Sequence, residues 1–205
     1  MSVEHVRISC GIRILQQKHP LIRSLRKAGS EPTIYGTRVW QSSLMLIEYL
    51  REHPLIERQR IIEIGCGWGL VGIFCAKRFA ADVLLTDVDE QVFPYALAHA
   101  NLNEVTVQTE RACFDSLAEA SLRGRNVIVG ADVCFWPELT SQLRRLIARA
   151  ASFGIERVVI ADPGRTTFMR LAEYCQRHFM ATMTPYRMST RTKSGGFILI
   201  VENLR

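Results

Sequence analysis

Residues 61–72 read IIEIGCGWGLVG, an apolar run that breaks into four glycines at Gly65, Gly67, Gly69 and Gly72. A strand that ends in bare glycines and resumes as a helix is a ligand loop of open α/β sheets. The glycines permit the tight turn and let a ligand approach backbone amides at the helix N-terminus. Two ligand classes fit the spacing. Gly67, Gly69 and Gly72 form the GxGxxG of a dinucleotide loop, whose amides would face a pyrophosphate. Glu63 points elsewhere, because a carboxylate beside the loop repels a diphosphate but suits a ligand carrying a sulfonium and an ammonium. Asp87, about 20 residues beyond the loop, could take ribose hydroxyls in either case. A tight strand-to-helix turn with no ligand would use the same glycines.

Around this loop the pattern is regular. Strands are predicted at 60–64, 82–87, 105–109, 126–131 and 156–161, with helices at Gly69 to Phe79, Gln91 to Leu102, Pro137 to Ala151 and Thr166 to Phe179. Leu139, Leu143, Leu146, Ile147 and Ala150 give the clearest apolar stripe. The alternation predicts a parallel sheet covered on both faces. MATMTPYRMS and GGFILIVENL, joined by the polar TRTKSG, depart from it and predict an antiparallel hairpin. Upstream, the alternation of Val6 to Ile14 suggests a strand pair, PLIRSLRKAG a brief amphipathic helix, and Leu44 to Leu50 another helix that stops before Pro54. Residues 1–33 therefore read as an N-terminal cap, and 34–205 as one domain.

At 205 residues, 48% of them apolar, the chain can bury one full core but not two. Fewer than 140 residues follow the loop, which leaves little room for the substrate domain of a dehydrogenase. No leader pattern opens the chain and no apolar run spans a bilayer, so a soluble, cytoplasmic protein without a membrane partner is expected. The six cysteines contain no CxxC pair, which predicts free thiols rather than a disulfide frame or a metal site. The net charge of +6 is mostly arginine, clustered at Arg7 to Lys27 and Arg187 to Lys193, and could attract an acidic partner protein. Without interleaved aromatics these clusters do not resemble a single-strand nucleic-acid surface.

Taken with Glu63, the glycines also read as the ExGxGxG of S-adenosylmethionine enzymes. IIEIGCGWGLVG, LLTDVDE, VIVGADVCFWPEL and VVIADPGRTTF resemble, in order and spacing, the motifs of class I S-adenosylmethionine-dependent methyltransferases. Within these, the chain is most similar to seven-strand protein-lysine methyltransferases grouped with nicotinamide N-methyltransferase-like proteins. GADVCFWPELTSQL and ADPGR resemble the subgroup that modifies lysines of the electron-transfer flavoprotein beta subunit. The likeness covers about residues 35–205. It implies a Rossmann-like, mostly parallel seven-stranded sheet, S-adenosylmethionine as cofactor, and a protein substrate that carries the target lysine.

Carried over by residue, the resemblance implies that Glu63, Gly65, Gly67 and Gly69 line the methionine end of the cofactor and that Asp87 binds its ribose. Phe114 would stack on the adenine and Asp115 would accept from its exocyclic amine, with Trp40, Val88 and Ala131 completing the cofactor set. Asp132 to Phe135 match an Asp-x-x-Tyr motif beside the transferable methyl, and Phe135 departs from it by lacking the phenol. Asp132 and Phe135 are the candidate catalytic residues; Trp136, Asp162 and Arg165 are candidates for the substrate side.

Methyl transfer from a sulfonium is in-line displacement at an activated carbon, so the protein chiefly has to align a neutral amine and exclude water. An apolar aromatic channel of Phe135 and Trp136 would favour the neutral amine, and Asp132 at its base could orient the nitrogen or receive its proton by way of water. Asp132 could equally cap the helix that begins near Pro137. Asp162 could simply brace the Pro163-Gly164 turn, while Arg165 could bind an acidic group of a substrate or pin Asp132. His99 and His178 are expected at the surface. Small-molecule N-methylation and a noncatalytic binding role stay open; with no HExxH, GxSxG or P-loop, hydrolase readings have no support.

Overall fold

The computed structural model describes residues 4–32, 35–189, 195–202 and 204. The middle strand of its five parallel strands is β3 (Arg60–Ile64), the apolar run that leads into the glycine loop. On one side of β3 lie β4 (Asp82–Asp87) and then β5 (Gln108–Arg111); on the other lie β6 (Val127–Ala131) and β7 (Arg157–Asp162). These five are parallel. The last two, β8 (Met180–Arg187) and β9 (Gly195–Glu202), form an antiparallel hairpin, and β9 pairs antiparallel with β7. The order β5-β4-β3-β6-β7-β9-β8 is the predicted mostly parallel seven-stranded sheet with its antiparallel hairpin. The connection 190–194, with much of the second basic cluster, lies outside the described residues.

Helices cover both faces. Those after the central strands are α3 (Leu70–Phe79), α4 (Phe93–Leu102), α6 (Pro137–Ser152) and α7 (Thr166–His178), and α2 (Gln41–Glu52) precedes β3. In α6 the apolar stripe packs as expected, with Leu143, Leu146, Ile147 and Ala150 buried; Leu139 instead faces a cavity beyond the sheet. Parallel strands buried on both faces need apolar residues at successive positions, and Ile61, Ile62 and Ile64 are each 1% exposed or less. Within α3, Gly72 lies so close to the sheet that a Cβ there would stand 2.6 Å from Leu85 and 2.7 Å from Val83. Its missing side chain sets how near the helix approaches.

Three local expectations are corrected. The strand predicted at 105–109 starts at Gln108, because Val105 is still closing α4: its amide donates to the Ala100 carbonyl at 3.1 Å, after Glu104 turns the chain at φ +61°. A short helix α5 (Glu119–Leu122) precedes β6, where no element was predicted. His99 is buried rather than exposed: its Nε2 accepts from the Leu15 amide at 3.1 Å, so Nδ1 carries the proton given to the Tyr95 carbonyl at 2.7 Å. His178 is exposed, as expected.

His99 is where the first segment joins the sheet. The hairpin of β1 (Val6–Ser9) and β2 (Ile12–Leu15) and the helix α1 (Pro20–Lys27) lie against α4. Asn103 fastens the same contact by accepting from the Arg13 amide and donating to its carbonyl, both at 2.8 Å. Trp68 from the glycine loop stacks on Tyr95 and lies 5.1 Å from His99. One aromatic cluster thus ties the N-terminal segment, α4 and the loop together.

Candidate active site

The chain runs outward from β3 to β5 and then crosses back to β6, so the switch in strand order lies between β3 and β6. Ligands of open α/β sheets bind at the carboxyl ends of the strands beside such a switch. A cavity of about 150 Å³ opens there, lined by segments at or after strand ends and by the turn before α2 with that helix's first turn. Gly65, Gly67 and Trp68 come from the loop after β3, Asp87 and Val88 from the end of β4, and Phe114 from the loop after β5. Ala131 ends β6, Asp132, Phe135 and Trp136 follow it, and Tyr35, Arg38 and Trp40 come from the turn before α2.

The glycine loop is braced from behind. Gly67 donates its amide to the Asp87 carboxylate at 3.0 Å, while the other carboxylate oxygen accepts from the Asp89 amide at 3.0 Å. Gly65 sits at φ +56°, and a Cβ there would meet Val133 at 2.8 Å and fill the cradle. Burial holds the Asp87 carboxyl above its ordinary value, although the Gly67 amide opposes the shift.

Glu63 is the main departure from expectation. Its side chain does not line the cavity; it is 3% exposed and runs behind the loop, where Oε2 accepts from the Gly72 amide at 2.7 Å. Desolvation pushes its carboxyl up to about 8, with the α3 amides opposing. Glu63 therefore shapes the loop by holding the first turn of α3. Gly69 does likewise from the helix start, at φ +69°. Asp115 is also directed away from the cavity, in a two-pronged pair with Arg145 at 2.9 and 2.7 Å.

Asp132 follows β6 on the cavity wall, 6% exposed and at φ +59°. It does not cap α6, whose first flanking residue is Trp136 with no side-chain cap. Its partner is Arg165, which reaches Asp132 at 2.6 Å and Asp162 at 2.7 Å with its two terminal nitrogens. Asp162 in turn braces its own turn by accepting from the Gly164 and Arg165 amides, each at 2.8 Å. One guanidinium shared by two carboxylates leaves a net negative charge at the wall. That charge suits a cationic ligand centre.

Four rings surround this point. Tyr35 stacks on Phe135 with centroids 4.6 Å apart and planes 12° apart, and Trp40 and Trp136 stand 5.9 and 5.7 Å from Tyr35. Arg38 lies over the Trp40 ring at 4.1 Å. Trp40, Phe135 and Trp136 are expected here from the sequence; Tyr35, Arg38 and Trp68 are not. Tyr35 and Arg38 stand in a stretch with no helical or strand periodicity, and Trp68 stands in the glycine loop, where backbone freedom rather than the side chain is the local signal. Only the indole donors show their roles: Trp40 Nε1 donates to the Tyr35 carbonyl and Trp68 Nε1 to the Gly36 carbonyl, both at 2.8 Å.

A family model described as lysine methyltransferase matches residues 23–183. The chain belongs to the lysine methyltransferase family. A ribosomal protein L11 methyltransferase of Thermotoga neapolitana is 33% identical over 85 residues, 42% of this chain and 31% of that protein. EEF1A lysine methyltransferase 3 of Mus musculus is 28% identical over 147 residues, 66% of this chain and 61% of that protein. The matches thus span about a third to under two thirds of these relatives' lengths. In fold, the chain is similar to a precorrin-6y C5,15-methyltransferase of Geobacter metallireducens GS-15, with a TM-score of 0.63 at 11% identity over 83% of this chain and 92% of that one. Family and fold imply S-adenosylmethionine as the methyl donor. The site fits that cofactor: a cradle free of side chains at Gly65, a carboxylate at Asp87 for hydroxyls, and net negative charge at Asp132 for a sulfonium.

Proposed function

We propose that this protein transfers methyl groups from S-adenosylmethionine to a lysine side chain of a partner protein. The cofactor, when bound, supplies a methyl carbon activated by the positive sulfur. Gly65 and Gly67 would leave room for its methionine end, Asp87 would accept from the ribose hydroxyls, and Phe114 would stack on the base, with Val88, Ala131 and Trp40 lining the same cavity. Asp87 suits that role because its carboxylate lines the cavity while already orienting the Gly67 amide.

The observation that carries the acceptor side is Asp132, held by Arg165 at 2.6 Å on the wall beside Phe135 and Trp136. A lysine nitrogen attacks only as the neutral amine, and the rings disfavour its charged form by excluding water. Phe135, Trp136 and Asp132 would hold the neutral nitrogen in line with the methyl carbon that the cofactor supplies. Asp132 orients the amine and receives the departing proton by way of water. A phenol at position 135 is not needed for this alignment, so Phe135 acts as an apolar wall.

A protein acceptor is favoured over a metabolite by the mouth, where Tyr35 is 46% and Trp136 44% exposed. Likeness to the electron-transfer flavoprotein subgroup makes that protein's beta subunit the first acceptor to assay. A cytoplasmic, reducing setting agrees with six unpaired cysteines. Among the described residues no helix is long and apolar enough to cross a membrane. The decisive measurement is mass spectrometry of a lysate incubated with S-adenosylmethionine and either the wild-type protein or Asp132→Ala. Lysine peptides should gain multiples of a methyl mass with the wild type alone. Methylated metabolites without methylated peptides would replace this reading by small-molecule N-methylation. S-adenosylhomocysteine binding with no methylated product of either kind would refute catalysis.

A further inference from the structure

Phe135 has no free face. The Arg165 guanidinium carbon lies 4.4 Å from the ring centroid, and the Tyr35 ring is stacked at 4.6 Å. Two groups that close cannot share one face of a ring, so Phe135 is sandwiched between them. Arg165 is fixed by Asp132 and Asp162 and cannot leave without stranding two carboxylates. Tyr35 is held differently. Its backbone is fixed in a left-handed turn at φ +47° by the Trp40 and Trp68 indoles, which donate to the carbonyls of Tyr35 and Gly36. Gln17 adds a third anchor through the Thr37 carbonyl at 2.6 Å. The side chain, by contrast, is 46% exposed and held by ring contacts. A rigid hinge therefore carries a ring that can rotate outward.

We infer that Tyr35 is the movable wall of the acceptor channel: an acceptor side chain reaches Asp132 by displacing the Tyr35 ring and taking its place against Phe135. This rests on the methyl-transfer reading, and it makes Tyr35 the residue that decides which acceptor side chains enter. A thin, flexible alkyl chain can fill the space a flat ring vacates, whereas a branched or bulky group cannot. Opening should carry the modest penalty of one aromatic pair, about 2- to 13-fold in an equilibrium, from about 0.5–1.5 kcal/mol.

The test needs no natural acceptor. An analogue of S-adenosylhomocysteine with nitrogen in the sulfur position, bearing a linear six-carbon arm that ends in an ammonium, sends that arm along the acceptor route. Calorimetry gives its affinity relative to S-adenosylhomocysteine for wild type, Y35F and Y35A. The ratio should rise about 2- to 13-fold in Y35A, where the arm displaces nothing, and stay at the wild-type value in Y35F, whose ring stacks in the same way. A ratio that is unchanged or lower in Y35A overturns the inference and leaves the methyl-transfer reading standing. Absence of S-adenosylhomocysteine binding in the wild type would strike the reading and the inference together.

Discussion

Replacing Glu63 by Gln should make the protein more stable at pH 8 and insensitive there to a titration that weakens the wild type. The carboxyl is 3% exposed, and burial raises it from an ordinary 4.5 to about 8. The folded state therefore prefers the protonated form. Its contribution to stability is fully present below 4.5, declines as the pH rises and is lost once the pH has passed through 8. From 4.5 to about 8, at about 1.36 kcal/mol per pH unit, the loss approaches about 5 kcal/mol. Glutamine keeps an oxygen for the Gly72 amide and carries no charge at any pH, so the slope vanishes. Alanine also removes the titration but leaves that amide unpaired and opens a void, so it should be about 2–4 kcal/mol less stable than the glutamine variant across the whole range. Urea unfolding between pH 5 and 8.5, followed by tryptophan fluorescence, distinguishes the three proteins. If Glu63→Gln is as destabilising at pH 8 as Glu63→Ala, Glu63 is needed as an anion and the reasoning from burial is wrong.

Three further outcomes are expected. Arg165→Ala should cost about 3–5 kcal/mol in denaturant melts by stranding Asp132 and Asp162, whereas Arg165→Lys should retain more stability yet lose methyl transfer because an ammonium cannot fork between two carboxylates. His99, lowered by burial from 6.5 to about 4, should stabilise the fold fully above 6.5 and progressively less as the pH falls through 4, a change of up to about 3 kcal/mol. His99→Gln should remove most of that slope, read by urea unfolding between pH 4 and 7. Asp87→Ala should weaken S-adenosylhomocysteine binding by about 10- to 100-fold in calorimetry, the value of about 1.5–3 kcal/mol for hydrogen bonds to a charged group; an unchanged affinity would remove Asp87 from the ribose site.

The element order was legible almost residue by residue because parallel strands buried on both faces leave unbroken apolar runs, and α6 shows its stripe plainly. β5 was misplaced by three residues because Val105 and Val107 look like strand residues locally, while the Ala100 carbonyl claims the Val105 amide for the helix end. His99 is expected at the surface if its helix is amphipathic, but that helix is apolar around most of its circumference. The burial of His99 comes from the N-terminal hairpin, 84 residues away in sequence. Glu63 was the sharpest sequence signal, yet it acts from behind the loop.

Sequence alone determined the class of fold, the glycine loop and the set of acidic residues at strand ends, since periodicity and turn chemistry are local properties. Tertiary structure decided what those residues do. Which way the Glu63 carboxylate points, that Asp132 is held by Arg165 rather than capping a helix, and that Tyr35 lies on Phe135 all depend on segments brought together by strand order. Contacts between residues 35 and 135 leave no trace in the spacing of either segment, because packing across a sheet's switch point is set by distance in space and not along the chain.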